Sequence, residues 1–405
     1  MIPTLLRKAH DISRILVVRV LLIAFLAVLS IVLTKVFSIF IPDGISYKVG
    51  AESVDHILSI IANSMLTVTT FSLTVMAATH RSVASLWTPR AHQILLQDTT
   101  THTVLATFVG AYLYALIAIV LRETEVFQGE ELLVLFGMTL LVALLVVAAI
   151  VRWISHLEMF GSLIETASRI EEQTHTAWQM RRQWPALGGH ELGSVPENAR
   201  PVTAERSGYF QQIYQDRLQK AAEEADARIW VTRHVGAFIH RGEEIARTDG
   251  GDTGLDDRIR AHLSIGTLRN YAQDPGFGLL NLSEIGSRAL SPGVNDPGTG
   301  IDAIRRIARV ILGDPDGPET GEVSHDRLYL PRFDATRAME RALAPLGRDG
   351  AGFVEVQAAF AESLAAIERH GPFDLQLTAR RLREAARNRA EEHLTEPEMR
   401  RISGD

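Results

Sequence analysis

Almost every long apolar run of the chain falls between residues 15 and 154, and this clustering constrains the fold more than any other feature. A helix needs roughly 20 apolar residues to cross a ~30 Å hydrocarbon core at ~1.5 Å rise per residue. Ile15–Ile41, Ile57–Thr79, Val104–Leu121 and Leu132–Ile154 each meet that requirement. The first has a basic flank like a secretory signal, but it is too long and no small-x-small cleavage site follows, which predicts an uncleaved anchor. The mean hydropathy of +0.08 averages this region with an ordinary charged sequence over 155–405.

Basic residues set the orientation. Arg7, Lys8 and Arg14 precede the first span and Arg19 lies at its start, Arg81 and Arg90 lie between the second and third, and Arg152 lies at the end of the fourth with Arg169, Arg181 and Arg182 after it. The two other loops carry only Lys48 and Arg122, the latter beside Glu123, Glu125, Glu130 and Glu131. Alternate loops therefore agree on both termini in the cytoplasm of a bacterial inner membrane. In the 80–102 loop, Thr88 and Pro89 read as N-cap and first residue of a short helix ending near Gln97.

The expected architecture is an α-helical membrane protein of four spans (residues 1–154) followed by a cytosolic α+β domain. Residues 155–183 read as a helical extension of the last span, with Leu157, Phe160, Leu163, Ile164, Ala167 and Ile170 at helical spacing. A Pro/Gly-rich linker (184–205) leads to a small β-α-β-β unit (206–247), with strands at 208–214 and 227–234, a helix at 215–226 and a last strand within 236–246. TDGGDTGLDD (248–257) reads as a second linker. A mostly helical part (257–395) follows, with helices at 257–273, 279–290, 297–312, 335–346, 354–369 and 374–393, and a short strand at 327–333.

The second span is unusual for a membrane helix. Ser59, Asn63, Thr67, Thr70 and Thr74 fall within a sector of ~80° at ~100° per residue, and Arg81 continues the line. Ile61, Met65, Val68, Phe71 and Val75 form the opposite face. Polar groups in hydrocarbon need partners. The stripe therefore either bonds across a helix contact or faces water along a permeation path around an oligomer axis. Lys35, in the outer third of the first span, either snorkels to the surface or sits beside that path. In the third span Thr107, Ala111, Ala115 and Ala118, with Ala106 and Gly110 beside them, make a small-residue face suited to close helix packing.

In the soluble part, RALSPGVNDPGTG (288–300) combines a Pro292–Gly293 turn with Asp296 as N-cap and Pro297 as first helical residue. It serves to position two helices, or else Arg288 and the helix N-terminus hold an anion, or Asn295 and Asp296 meet a cation. The spacings of His80, His92 and His102 match no metal site. Arg380, Arg381, Arg383, Arg387 and Arg389 make a basic helix, solvated or in contact with anionic lipid. With no cysteine, a net charge of −7, and no phosphate-binding loop, nucleophile elbow or zinc-protease motif, the chain gives no sign of enzyme activity, cofactor, metal or nucleic acid. The expected partners are the lipid bilayer, further copies in a homo-oligomer, and ions.

SMLTVTTFSLTVMA (64–77), WTPRAHQILLQD (87–98), VLATFVGAYLYALI (104–117) and RALSPGVNDPGTG (288–300), with SGYFQQIY (207–214), VGAFIHRGEEIA (235–246) and RNYAQDPGFGLL (269–280), resemble an uncharacterised bacterial family of predicted membrane proteins, domain of unknown function 2254. The resemblance covers most of the chain in order. It implies a multi-pass inner-membrane protein with a cytosolic C-terminal domain and supplies no site residues. The chain departs from the pattern after SMLTVT, where Thr70, Phe71 and Ser72 replace a small residue and further aromatics, making the second span more polar. The functional expectation is an oligomeric channel or pore-like transporter whose second span lines the path. The alternative is a non-transporting scaffold or sensor whose spans oligomerise a cytosolic module.

Overall fold

A computed structural model describes residues 51–86, 99–124, 131–159, 162–313 and 321–403, together with Phe25 and Leu29. Apart from Phe25 and Leu29, the first expected span, with Lys35, and the short helix expected after Thr88 lie outside the described residues. The chain divides into two units, with the main boundary between Glu165 and Thr166.

The first unit contains α1 (Ala51–Leu86), α2 (Thr99–Glu123) and α3 (Glu131–Met159). Among the described residues these three are long and apolar enough to cross a membrane, over Ser53–Thr79, Thr100–Glu123 and Glu131–Leu157. The apolar span of α1 ends at Thr79, as the hydropathy suggested, but the helix itself continues to Leu86. Its 36 residues span ~54 Å, well beyond a ~30 Å core.

The bundle core is formed by Val54, Leu58, Ile61 and Met65 of α1, by Val104, Phe108, Ala111, Tyr114, Ala115 and Ala118 of α2, and by Leu135, Val146 and Trp153 of α3. Small side chains on α2 let the backbones approach, the usual basis of helix association where no hydrophobic effect separates helix from lipid. Polar contacts mark three levels of the bundle. Asp55 and Arg122 pair at 3.4 Å. Tyr114 Oη lies 3.1 Å from Thr139 Oγ1, whose own proton goes to the Leu135 carbonyl at 2.7 Å, so the tyrosine is the donor. Thr101 Oγ1 and His156 Nε2 are 3.2 Å apart.

The helical extension is not continuous with the last span. α3 ends at Met159, Ser162 is not helical, and α4 (Leu163–Gln183) starts afresh. Gly161 and Ser162 are weak helix formers, which a pattern of apolar spacing alone does not register. Ala167 and Ile170 of α4 are buried, but Ile164 is exposed.

The second unit interleaves strands and helices. β1 (Gly189–Glu191), β2 (Arg200–Thr203), β3 (Gly208–Ile213), α5 (Gln215–Glu224), β4 (Ile229–Val231), β5 (Phe238–Ile239), β6 (Glu244–Thr248), α6 (Thr253–His262) and β7 (Leu263–Gly266) precede α7 (Pro275–Ala289) and α8 (Pro297–Leu312). The chain then returns as β8 (His325–Leu330) before α9 (Ala335–Asp349), α10 (Val354–His370), α11 (Phe373–Ala390) and α12 (Glu396–Ser403). One sheet runs β1-β8-β4-β6-β2, with β8 parallel to both neighbours, and the other runs β5-β3-β7. Phe210, Ile213, Leu218, Ile229, Val231, Ile245, Leu255, Ile265, Leu328 and Leu330 bring both sheets and their helices into one core.

Three expectations are corrected here. The linker assigned to 184–205 supplies β1 and β2, the two edges of the larger sheet. The segment 248–257 ends β6 and opens α6, whose N-cap Asp252 accepts from the Gly254 and Leu255 amides. The helix expected over 257–273 stops at His262, because Leu263 and Ile265 point inward alternately against β3. The small β-α-β-β unit is consequently not separate from the helical part. β8, drawn from beyond α8, lies between β1 and β4.

Candidate functional site

The polar residues of the second span lie together and outward. Ser59, Asn63, Thr67, Thr70, Thr74 and Arg81 are all exposed on α1. Val54, Leu58, Ile61, Met65 and Ser72, the buried residues, centre on the side ~180° away. The small-residue face of α2 packs against that apolar side: Ala106, Gly110, Ala111, Ala115 and Ala118 are buried and Thr107 is half-buried. The polar stripe thus does not use α2 as its partner. Phe71, expected on the packed side, is 62% exposed, because it sits ~80° beyond the centre of the stripe and not opposite it.

The stripe is chemically mixed. Thr67, Thr70 and Thr74 donate to the carbonyls of Asn63, Leu66 and Thr70, at 3.0, 2.8 and 2.9 Å. Back-bonding of this kind satisfies a hydroxyl within its own helix. The Asn63 amide carries two donors and an acceptor, more than a single back-bond can satisfy. On the packed side Ser72 Oγ is buried with no hydrogen-bond partner.

In the second unit, the 288–300 turn is built by its own hydrogen bonds. Ser291 Oγ donates to the Arg288 carbonyl at 2.6 Å, and the Asp296 amide donates to Ala289 O at 2.8 Å. Asn295 takes φ +54°, a left-handed conformation that asparagine tolerates. Asp296 caps α8, accepting from the Thr299 amide at 3.1 Å and the Thr299 hydroxyl at 2.6 Å. Those bonds hold its carboxyl below the usual range. Both oxygens are therefore committed to Thr299, while Arg288 and Asn295 are exposed. Four of the five arginines of α11 are ion-paired: Arg380 and Arg383 with Glu368, Arg381 with Glu340, and Arg387 with Glu391.

A second polar assembly was not picked out by sequence pattern. Asp274, buried at the N-cap of α7, accepts from Arg269 Nε at 2.8 Å and from the Phe277 amide at 3.1 Å. Arg269 lies over the Phe277 ring at 5.0 Å. Gly236, at φ +90°, packs so closely that a Cβ there would come within 2.3 Å of Asp274 Oδ2. Gln273 bonds both the amide and the carbonyl of Ile213 at 2.9 and 3.0 Å, continuing the edge of β3 with a side chain. Asp274–Pro275 repeats the cap signature of Asp296–Pro297, and that repeat was the available signal.

A bundle of long apolar helices with buried hydroxyl contacts, joined in sequence to a mixed α/β unit, defines a multi-span α-helical membrane protein. The chain belongs to the predicted membrane protein family DUF2254, which it matches over residues 13–366. It is similar to uncharacterized proteins of Mycobacterium bovis and of two strains of Mycobacterium tuberculosis, each 32% identical over 124 residues. That match takes in 29% of this chain and spans 24% of each relative's length. No solved structure matches the chain.

Proposed function

We propose that the protein is an oligomeric channel or pore-like transporter of the bacterial inner membrane, in which copies turn the polar face of α1 toward a shared path. The observation that carries this reading is the exposure of Ser59, Asn63, Thr67, Thr70 and Thr74 on the side of α1 away from its packed face. An amide left against hydrocarbon costs several kcal/mol, so Asn63 favours a polar surrounding. Arg81 would flank the cytoplasmic mouth and Lys35 the outer one, with both termini cytoplasmic and the C-terminal unit assembling or gating the path.

The scaffold reading has one observation in its favour. The back-bonded threonines need no water, and so would also suit a tight contact between copies that conducts nothing. Ion flux into liposomes carrying the purified full chain separates the two. Wild type conducts, and Asn63→Leu and Thr74→Leu reduce flux at equal reconstitution. Wild-type liposomes no leakier than empty ones would remove the pore assignment, as would variants that conduct like wild type.

A further inference from the structure

A cavity of about 500 Å³ in the second unit takes its walls from both sheets. Ile245 on β6 comes from the five-stranded sheet, and Leu263 and Ile265 on β7 from the three-stranded one. These three aliphatic side chains are buried and form its floor. Glu205 and Arg206, just after β2, and Asp257 and Arg260 on α6 line it as well. All of these but Arg260 are exposed, and the four make the rim. A volume of this size, apolar at its base with a few converging polar groups, is the usual form of a small-molecule site.

The rim is balanced in charge. Arg260 Nη2 donates to Asp257 Oδ1 at 3.0 Å, and Arg260 Nε stands 3.1 Å from Glu205 Oε1. That second contact is an ion pair without the alignment of a hydrogen bond, since the buried Nε has no hydrogen-bond partner among the described residues. The Glu205 and Asp257 side chains are 74% and 73% exposed, so both carboxylates keep oxygens for a further donor. Arg206 forms no ion pair among the described residues. Two acceptors and one unengaged cation therefore stand above an aliphatic floor. A purely anionic solute would meet two carboxylates there, and a purely cationic one two guanidiniums. A small zwitterion with an aliphatic body avoids both penalties.

We infer that this cavity binds a small zwitterion of the amino-acid class, with its ammonium on Glu205 and Asp257, its carboxylate on Arg206 and its aliphatic side chain over Ile245, Leu263 and Ile265. A guanidinium suits the carboxylate because its donors match two oxygens at once. An ammonium brings three donors to the two acidic side chains. Because the walls belong to different sheets, an occupant ties them together and stabilises the second unit as it fills the site. The site stands within this unit and is independent of whether α1 lines a path.

The test is calorimetric titration of L-leucine into the detergent-solubilised full chain at neutral pH. Wild type binds it, whereas isocaproate, which lacks the ammonium, and isopentylamine, which lacks the carboxylate, each bind about tenfold more weakly. Arg206→Gln and Asp257→Asn each weaken leucine about tenfold, the loss of one charge-assisted bond. Both side chains are exposed, so these variants keep the wild-type melting temperature. Ala261→Trp, at an exposed lining position, fills the cavity without removing a charge and abolishes binding. No binding of leucine to wild type at millimolar concentration, or binding by all three variants equal to wild type, overturns the site. Isocaproate or isopentylamine binding as tightly as leucine overturns the zwitterion.

Discussion

Replacing Asp274 with alanine tests the junction between the sheets and the helices most directly. The aspartate is 5% exposed, its Oδ2 is shared by two nitrogens of Arg269 at 2.8 and 2.7 Å, and its Oδ1 caps α7. Removing one partner of a buried pair leaves the other charge uncompensated and costs ~3–5 kcal/mol. That range subsumes the ~1 kcal/mol of a lost cap. At ~2–4 °C per kcal/mol for a unit of this size, the expected fall in melting temperature is ~12 °C. Fluorescence of Trp178, fully buried and edge-on to Phe333 at 5.6 Å, reports on this region during a thermal melt of the full chain. The double variant Arg269→Met/Asp274→Leu removes both charges, and should recover all but ~1–2 kcal/mol, since paired apolar replacements of buried ion pairs are often neutral. A loss below ~1 kcal/mol in the single variant would refute the argument, as would a double variant no more stable than the single one.

Other expectations follow from the same geometry. Asp296→Ala should cost ~1 kcal/mol as a lost helix cap, read as a shift of ~2–4 °C. Because Thr299 holds the Asp296 carboxyl below its unfolded value, this contribution is present above pH ~4 and is lost as pH falls through the lower folded value; a pH series of melts of wild type and variant checks it. Ser72→Ala should stabilise the bundle by ~1 kcal/mol in detergent unfolding, since the hydroxyl is buried without a partner; a destabilised variant would mean that Ser72 is bonded in the assembled protein. Gly236→Ala should be among the most damaging single changes in the second unit, combining a left-handed backbone with a Cβ 2.3 Å from Asp274 Oδ2; a melting temperature equal to wild type would show that the loop moves freely aside.

Local signals that carry their own physics were readable in advance, and signals that depend on a distant partner were not. Hydropathy located three helices of the first unit, and cap residues placed the start of α8 at Pro297. The helices expected at 335–346, 354–369 and 374–393 lie close to α9, α10 and α11. The strands of 184–205 were unreadable because three- and four-residue edge strands next to Pro and Gly carry no periodicity to detect. β8 was visible as a strand, but nothing local tells that it inserts between β1 and β4. Similarly, the ~80° sector of the second span gave the polar stripe, while only the packing shows that it opposes the α2 contact.

The polar assemblies differ in what they require of their surroundings. Tyr114 and Thr139 complete each other within the bundle, and Asp296 and Thr299 complete each other at α8, so neither demands a ligand. Asn63 and Arg181 differ from these pairs: the Asn63 amide is exposed on an apolar helix, and a buried nitrogen of the Arg181 guanidinium has no acceptor. Burial or insertion of a polar group without compensation is costly. In separate units, Asn63 and Arg181 are therefore polar groups whose energy depends on what surrounds them, in contrast to the two self-completed pairs.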